Sequence, residues 1–90
     1  MQLMLALKLL VLSLIRGNVM KNKIYQHYKG NFYEVLEFGL HSETLEVMVI
    51  YRSLKDGKIW VRPISMWDEE VIVNGEKVKR FTYIKDKEAN

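Results

Sequence analysis

The chain has no cysteine among its 90 residues. That excludes a disulfide scaffold, a thiolate metal site and a cysteine nucleophile, and it suits a reducing, cytoplasmic setting. Only two histidines are present, His27 and His41, without the short helical or hairpin spacing of zinc motifs, so no metal site and no cofactor is expected. Proline occurs once, at Pro63, and unbroken apolar runs are short. The longest apolar stretch lies within residues 1–19 but is interrupted by Lys8 and Arg16, whereas a spanning helix wants about 20 mostly apolar residues. A block of one charge sign is also missing. The formal charge is +3, but Lys8 and Arg16 belong to the acid-free first nineteen residues. Fourteen basic side chains less these two leaves twelve against eleven acids, interleaved along the chain. Such a pattern argues against tracking a nucleic-acid backbone.

What is there divides into three parts. Residues 1–19 are a leucine-rich extension, residues 20–85 form one domain, and residues 86–90 are a charged tail. The extension lacks the early basic end and the small-residue cleavage site of a signal peptide. Met20-Lys21-Asn22-Lys23 reads as an ordinary opening, and Arg16-Gly17 can be encoded by a purine-rich ribosome-binding sequence, so an over-extended start is expected. If the extension is made, its leucines favour a helix that seeks an apolar surface, and only then is membrane contact expected. Ninety residues allow one core and no deep enclosed cleft, since a domain of this size buries only about 60% of its unfolded surface.

After Met20 the pattern is short alternating runs divided by turn residues, which predicts a mainly β domain. Strands are expected at Ile24–Tyr28 and Phe32–Phe38, the second with Phe32, Glu34, Leu36 and Phe38 on one face. Asp56-Gly57 lies between Val47–Tyr51 and Ile59–Val61, a strong hairpin signal because glycine supplies positive φ without steric cost. With those two residues as the loop, Tyr51 faces Arg62 and Ser53 faces Trp60. One face then carries Met48, Ile50, Leu54, Ile59 and Val61 and is the expected core. The other carries Val47, Val49, Tyr51, Trp60 and Arg62. Ser65 followed by Asp68 predicts a capped helical turn. A second hairpin turns at Asn74-Gly75, and Phe81–Ile84 closes the domain, with fraying from Lys85. Short strands with one helical turn suit a small SH3-like β-barrel, and a partly open five-stranded Greek-key barrel is the alternative.

Several motifs in order carry a resemblance. They are Tyr25-Gln26-His27-Tyr28-Lys29-Gly30 with Tyr33 and Val35, His41-Ser42-Glu43-Thr44, Tyr51-Arg52, Trp60-Val61-Arg62-Pro63 with Met66, and Arg80-Phe81. Together they resemble a family of short bacterial proteins known only as domain of unknown function sixteen fifty-three, over Ile24 to Phe81. The resemblance implies a small SH3-like barrel and no established activity. The family usually has Phe or Tyr where this chain has Trp67, and proline where it has Lys79.

The chemistry-bearing residues are few. His41-Ser42-Glu43 holds the parts of an activated nucleophile, but neighbours in one loop rarely adopt relay geometry, and the same residues turn loops by local hydrogen bonds. His27, between two tyrosines, reads as a sheet histidine. Arg62 stands between Trp60 and Pro63 and can stack on aromatic faces while pointing its fork at a carboxylate or phosphate; the structural alternative is an internal tie to Glu43 or Glu46. Tyr25, Tyr28, Tyr33, Trp60 and Trp67 serve either as a stacking platform or as core. These residues favour a non-catalytic binding module in which Tyr51, Trp60 and Arg62, rimmed by His41 and Glu43 and with His27 nearby, receive a peptide or a nucleotide-like anion. A small hydrolase or transferase using His41 and Glu43, and a structural accessory subunit, are the alternatives.

Overall fold

In a computed structural model, residues 15 and 18–88 are described; residues 15, 18 and 19 of the N-terminal extension are helical, and the rest of the expected leucine-rich helix and the last two residues of the tail lie outside the described residues. The domain is mainly β. Its strands are β1 (Lys23–His27), β2 (Phe32–Leu40), β3 (Val47–Ser53) and β4 (Ile59–Pro63), then the helical turn α1 (Ile64–Trp67), then β5 (Glu70–Val73), β6 (Glu76–Lys79) and β7 (Phe81–Asp86). Five strands form one antiparallel sheet in the order β4-β3-β2-β1-β7, and β5-β6 is a separate hairpin. The first four strands are a simple meander and β7 returns beside β1, so the topology is SH3-like and not a Greek key.

The hairpin β3–β4 differs from the sequence expectation in register and in which face is buried. Ser53 N donates to Lys58 O and Gly57 N to Ser53 O, both at 2.9 Å, so residues 54–57 form a four-residue loop. A two-residue type I′ turn needs positive φ at both central positions; here Gly57 has φ 74° and Asp56 stays outside that region. Asp56 instead accepts from Lys58 N through its carboxylate at 3.0 Å. Tyr51 therefore pairs with Trp60 and Val49 with Arg62. The shift is by two residues, which preserves the two faces. The core face is the one carrying Val47, Val49 and Tyr51, all buried, while Ile59 and Val61 are each 57% exposed. Alternation sets which side chains share a face but does not choose between two apolar faces. The choice is made by Trp67 and Phe81, which pack against Tyr51 from elements far along the chain.

A β-bulge in β2 alters a second expectation. The register with β3 shifts between Val35 and Glu37, leaving Leu36 as the extra residue. Phe38 is thereby opposite Val49 and packs against the core, parted from Phe32 and Glu34. The core joins Met20, Val35, Val47, Val49, Tyr51, Ile64, Trp67 and Phe81, with Tyr25, Tyr33 and Phe38 against it. Its centre is a Trp67–Phe81 stack, 3.8 Å between ring centroids and 2° from parallel.

Two smaller differences concern chain ends. Pro63, not Ser65, precedes the helical turn, with no side-chain cap, and Ser65 Oγ donates to Glu46 at 3.2 Å. Proline's fixed φ suits a helix start, and Ile64 and Trp67, three apart, share the buried side. The last strand also continues past Ile84: Asp86 accepts from Lys23 at 2.7 Å and from Tyr83 at 2.6 Å, and Lys87 pairs with the buried Glu34 at 2.7 Å. The Asn74-Gly75 hairpin forms as expected, with φ of 52° and 81° at the turn and Val73 opposite Glu76.

Candidate functional site

The core face of the large sheet is not wholly filled. Tyr33 on β2, Tyr51 on β3, and Trp60 and Arg62 on β4 line an open pocket of about 210 Å³. Alternation places all four side chains on this side of the sheet, because Tyr51 pairs with Trp60 and Tyr33 with Ser53. The floor is aromatic and fixed. Tyr51 meets Tyr33, Trp67 and Phe81 edge-on at 5.4, 5.0 and 5.8 Å between centroids. Edge-to-face rings of this kind interlock, so the floor is rigid compared with a surface loop.

Arg62 is the charge in the pocket. Its Nε donates to the Tyr51 hydroxyl at 3.2 Å, and its guanidinium carbon lies 5.6 Å from the centre of the Phe81 ring. These contacts use one donor and one face of the group. Among the described residues no acid forms an ion pair with Arg62, so the expected alternative of a tie to Glu43 or Glu46 is not seen. Trp60 is 51% exposed and offers a planar wall beside it.

His27 borders the same cluster. It pairs across strands with Phe81, and its ring lies 5.0 Å from that of Phe81, 6.4 Å from Tyr33 and 4.5 Å from Tyr28. Burial first, then the positive charges of Arg62, Arg80 and Lys29, hold the His27 imidazole below its ordinary pKa. Its Nδ1 accepts from Lys29 N at 3.2 Å, which leaves Nε2 to carry the hydrogen of the neutral ring. Arg80 is held from below by Glu69 at 3.0 Å, and its Nε is buried without a partner. Three basic side chains thus act on one imidazole at the margin of an aromatic pocket, and the local field favours negative charge.

His41 and Glu43 sit in the β2–β3 loop and serve that loop. His41 Nδ1 accepts from Glu43 N at 3.2 Å and from Thr44 N at 3.3 Å. His41 N also donates to Glu46 O, and its carbonyl receives Leu45 N. The pair is joined through the Glu43 amide, not its carboxylate, and no hydrogen bond or ion pair connects the loop to Arg62 among the described residues. Sequence reasoning put Tyr51, Trp60 and Arg62 on one face, rimmed by His41 and Glu43 with His27 near; the structure brings the first three together with His27 beside them and keeps His41 and Glu43 in their own loop. Sequence reasoning did not find Phe81 and Arg80 as neighbours of this cluster, where the β1–β7 pairing brings them beside His27. The one available signal was the adjacency of Arg80 and Phe81, a cation next to an aromatic ring before the closing strand.

The family model for DUF1653, described as a protein of unknown function, matches residues 23–83. The chain belongs to the DUF1653 family. A crystal structure of a DUF1653 protein from Bordetella bronchiseptica is similar to it, with 27% identity and a TM-score of 0.68, covering 82% of this chain and 99% of that one. No curated protein matches. The four pocket residues, Tyr33, Tyr51, Trp60 and Arg62, and the neighbouring His27 and Phe81 fall inside the span that matches the DUF1653 model.

Proposed function

We propose that this DUF1653 chain is a non-catalytic binding module whose Tyr33–Tyr51–Trp60–Arg62 pocket takes an oxyanion, borne by a peptide or a nucleotide-like ligand. The observation that carries this reading is Arg62: a half-buried guanidinium, aimed by the Tyr51 hydroxyl, without an acid of its own among the described residues. A fork fixed on one side by a phenol and an aromatic ring retains donors for a planar carboxylate or a phosphate. The size supports a small group, since about 210 Å³ admits one side chain or phosphate with part of its attachment and not a large cofactor. Trp60 would cover the apolar part of such a ligand.

The test is an NMR titration of the isotopically labelled chain with a doubly blocked glutamate and, separately, with adenosine monophosphate. Saturable shifts at the Arg62 Nε–H and the Trp60 indole N–H are expected with at least one probe. Shifts that never saturate, or that arise only at exposed lysines, would reject the pocket.

A further inference from the structure

The two edges of the large sheet are unlike. The β7 edge carries a bulge after Tyr83, and its outer end bears Lys85 and Asp86, devices that discourage a further strand. The β4 edge has no bulge in its register and no charge in Ile59-Trp60-Val61, which are 57%, 51% and 57% exposed. The hydrogen-bond phase of that edge follows from the hairpin turn. Ser53 N donates to Lys58 O, so Lys58 faces β3, and by alternation so do Trp60 and Arg62. Ile59 and Val61 therefore turn their N–H and C=O groups away from β3, and no backbone partner meets them among the described residues. Pro63, the next outward position, has no N–H and ends the row.

We infer that the β4 edge receives an extended peptide as a sixth strand, whose acidic side chain, opposite Arg62, enters the Tyr33–Tyr51–Trp60–Arg62 pocket. This rests on the pocket reading above and commits it to peptides. A strand laid on β4 places alternate side chains on the two faces of the sheet. The residue opposite Arg62 points to the pocket side, where the guanidinium lacks an acid. Residues opposite Ile59 and Val61 point to the other side, beside two exposed aliphatic groups, and β-branched residues fit there. The preferred ligand thus alternates β-branched residues with a small or polar one and then Asp or Glu. A second copy of β4 is a poor occupant. Pairing Ile59 with Val61 of that copy sets Arg62 opposite Lys58, like charge against like.

The probe is a blocked heptapeptide of alternating valine and threonine with one glutamate in the position opposite Arg62. Three companions accompany it: a glutamine twin, a twin methylated on the two amide nitrogens that face β4, and the Val61→Pro chain. Proline is tolerated on an edge where the N–H faces outward, so this variant should keep the parent melting temperature. Titration should shift the amides of Ile59 and Val61 saturably and slow their hydrogen exchange. The methylated twin and Val61→Pro should each weaken binding by about tenfold or more, roughly the loss of one or two backbone hydrogen bonds. The glutamine twin should weaken it as well, through Arg62. Equal binding of the methylated twin with shifts at Arg62 but none at Ile59 and Val61 would overturn strand addition and leave the pocket standing. No response at Arg62 to the peptide, blocked glutamate or adenosine monophosphate would overturn both.

Discussion

Trp67 shows how one residue can be central and imperfect at once. Its ring is 1% exposed and stacked on Phe81, yet its indole N–H is buried without a partner. Leaving such a donor unmade costs about 1 to 3 kcal/mol, which offsets much of the area that indole buries beyond a phenyl ring. Trp67→Phe should therefore change stability by less than about 1.5 kcal/mol, while Trp67→Ala should cost about 3 to 5 kcal/mol in chemical denaturation. His27 gives the complementary case, in which the burden is pH-dependent. Its folded pKa lies below the unfolded value near 6.5, so below that pH the unfolded chain binds more protons. The stability contributed by the neutral ring is present above about pH 6.5 and is lost as pH falls through that value toward the folded pKa. Melting temperature should drop as pH falls below about 6.5, and His27→Gln should flatten the drop. An oxyanion beside Arg62 would raise the His27 pKa, so saturating ligand should shrink the same slope.

At the scale of elements, the positions of strands and turns were legible and the choice of buried face was not. Asn74-Gly75 and Gly57 marked turns, because positive φ is a local demand that glycine and asparagine answer. The four-residue loop at Asp56-Gly57 was less legible, since an aspartate that bonds the next-but-one amide can stay right-handed and let the turn widen. The bulge at Leu36 left no signal either; it reconciles Val35 and Phe38, both core-facing, in a strand whose alternation would set them apart. Face choice depended on Trp67 and Phe81, which are local to neither β3 nor β4. The assignment is checked by an isosteric pair. Val49→Thr should cost about 1 to 3 kcal/mol, since it buries a hydroxyl at a fully enclosed position, whereas Ile59→Thr should stay within about 0.5 kcal/mol. Equal costs would show that the buried face is misassigned.

For the whole molecule, the arrangement of charge says more than its total. Lys21–Glu37, Lys23–Asp86, Lys87–Glu34 and Arg80–Glu69 pair cations with acids, and Arg62 stands outside those pairs. The candidate site was partly readable because the hairpin alone brings Tyr51, Trp60 and Arg62 to one face, whichever of the two registers forms. Tyr33 joins them through the β2–β3 pairing, and the neighbouring His27 and Phe81 meet only through the long-range pairing of β1 with β7. Among the described residues no helix is long and apolar enough to cross a membrane. The account stands on Arg62 as the receiver of an external oxyanion. The most direct test is the titration with blocked glutamate and adenosine monophosphate, run on the parent chain and on Arg62→Lys, with thermal melts of both. The lysine variant should remain folded, losing about 0.5 to 1.5 kcal/mol with the Tyr51 hydrogen bond, and its saturable response should disappear because lysine lacks the planar fork. An unchanged response in folded Arg62→Lys would contradict the account.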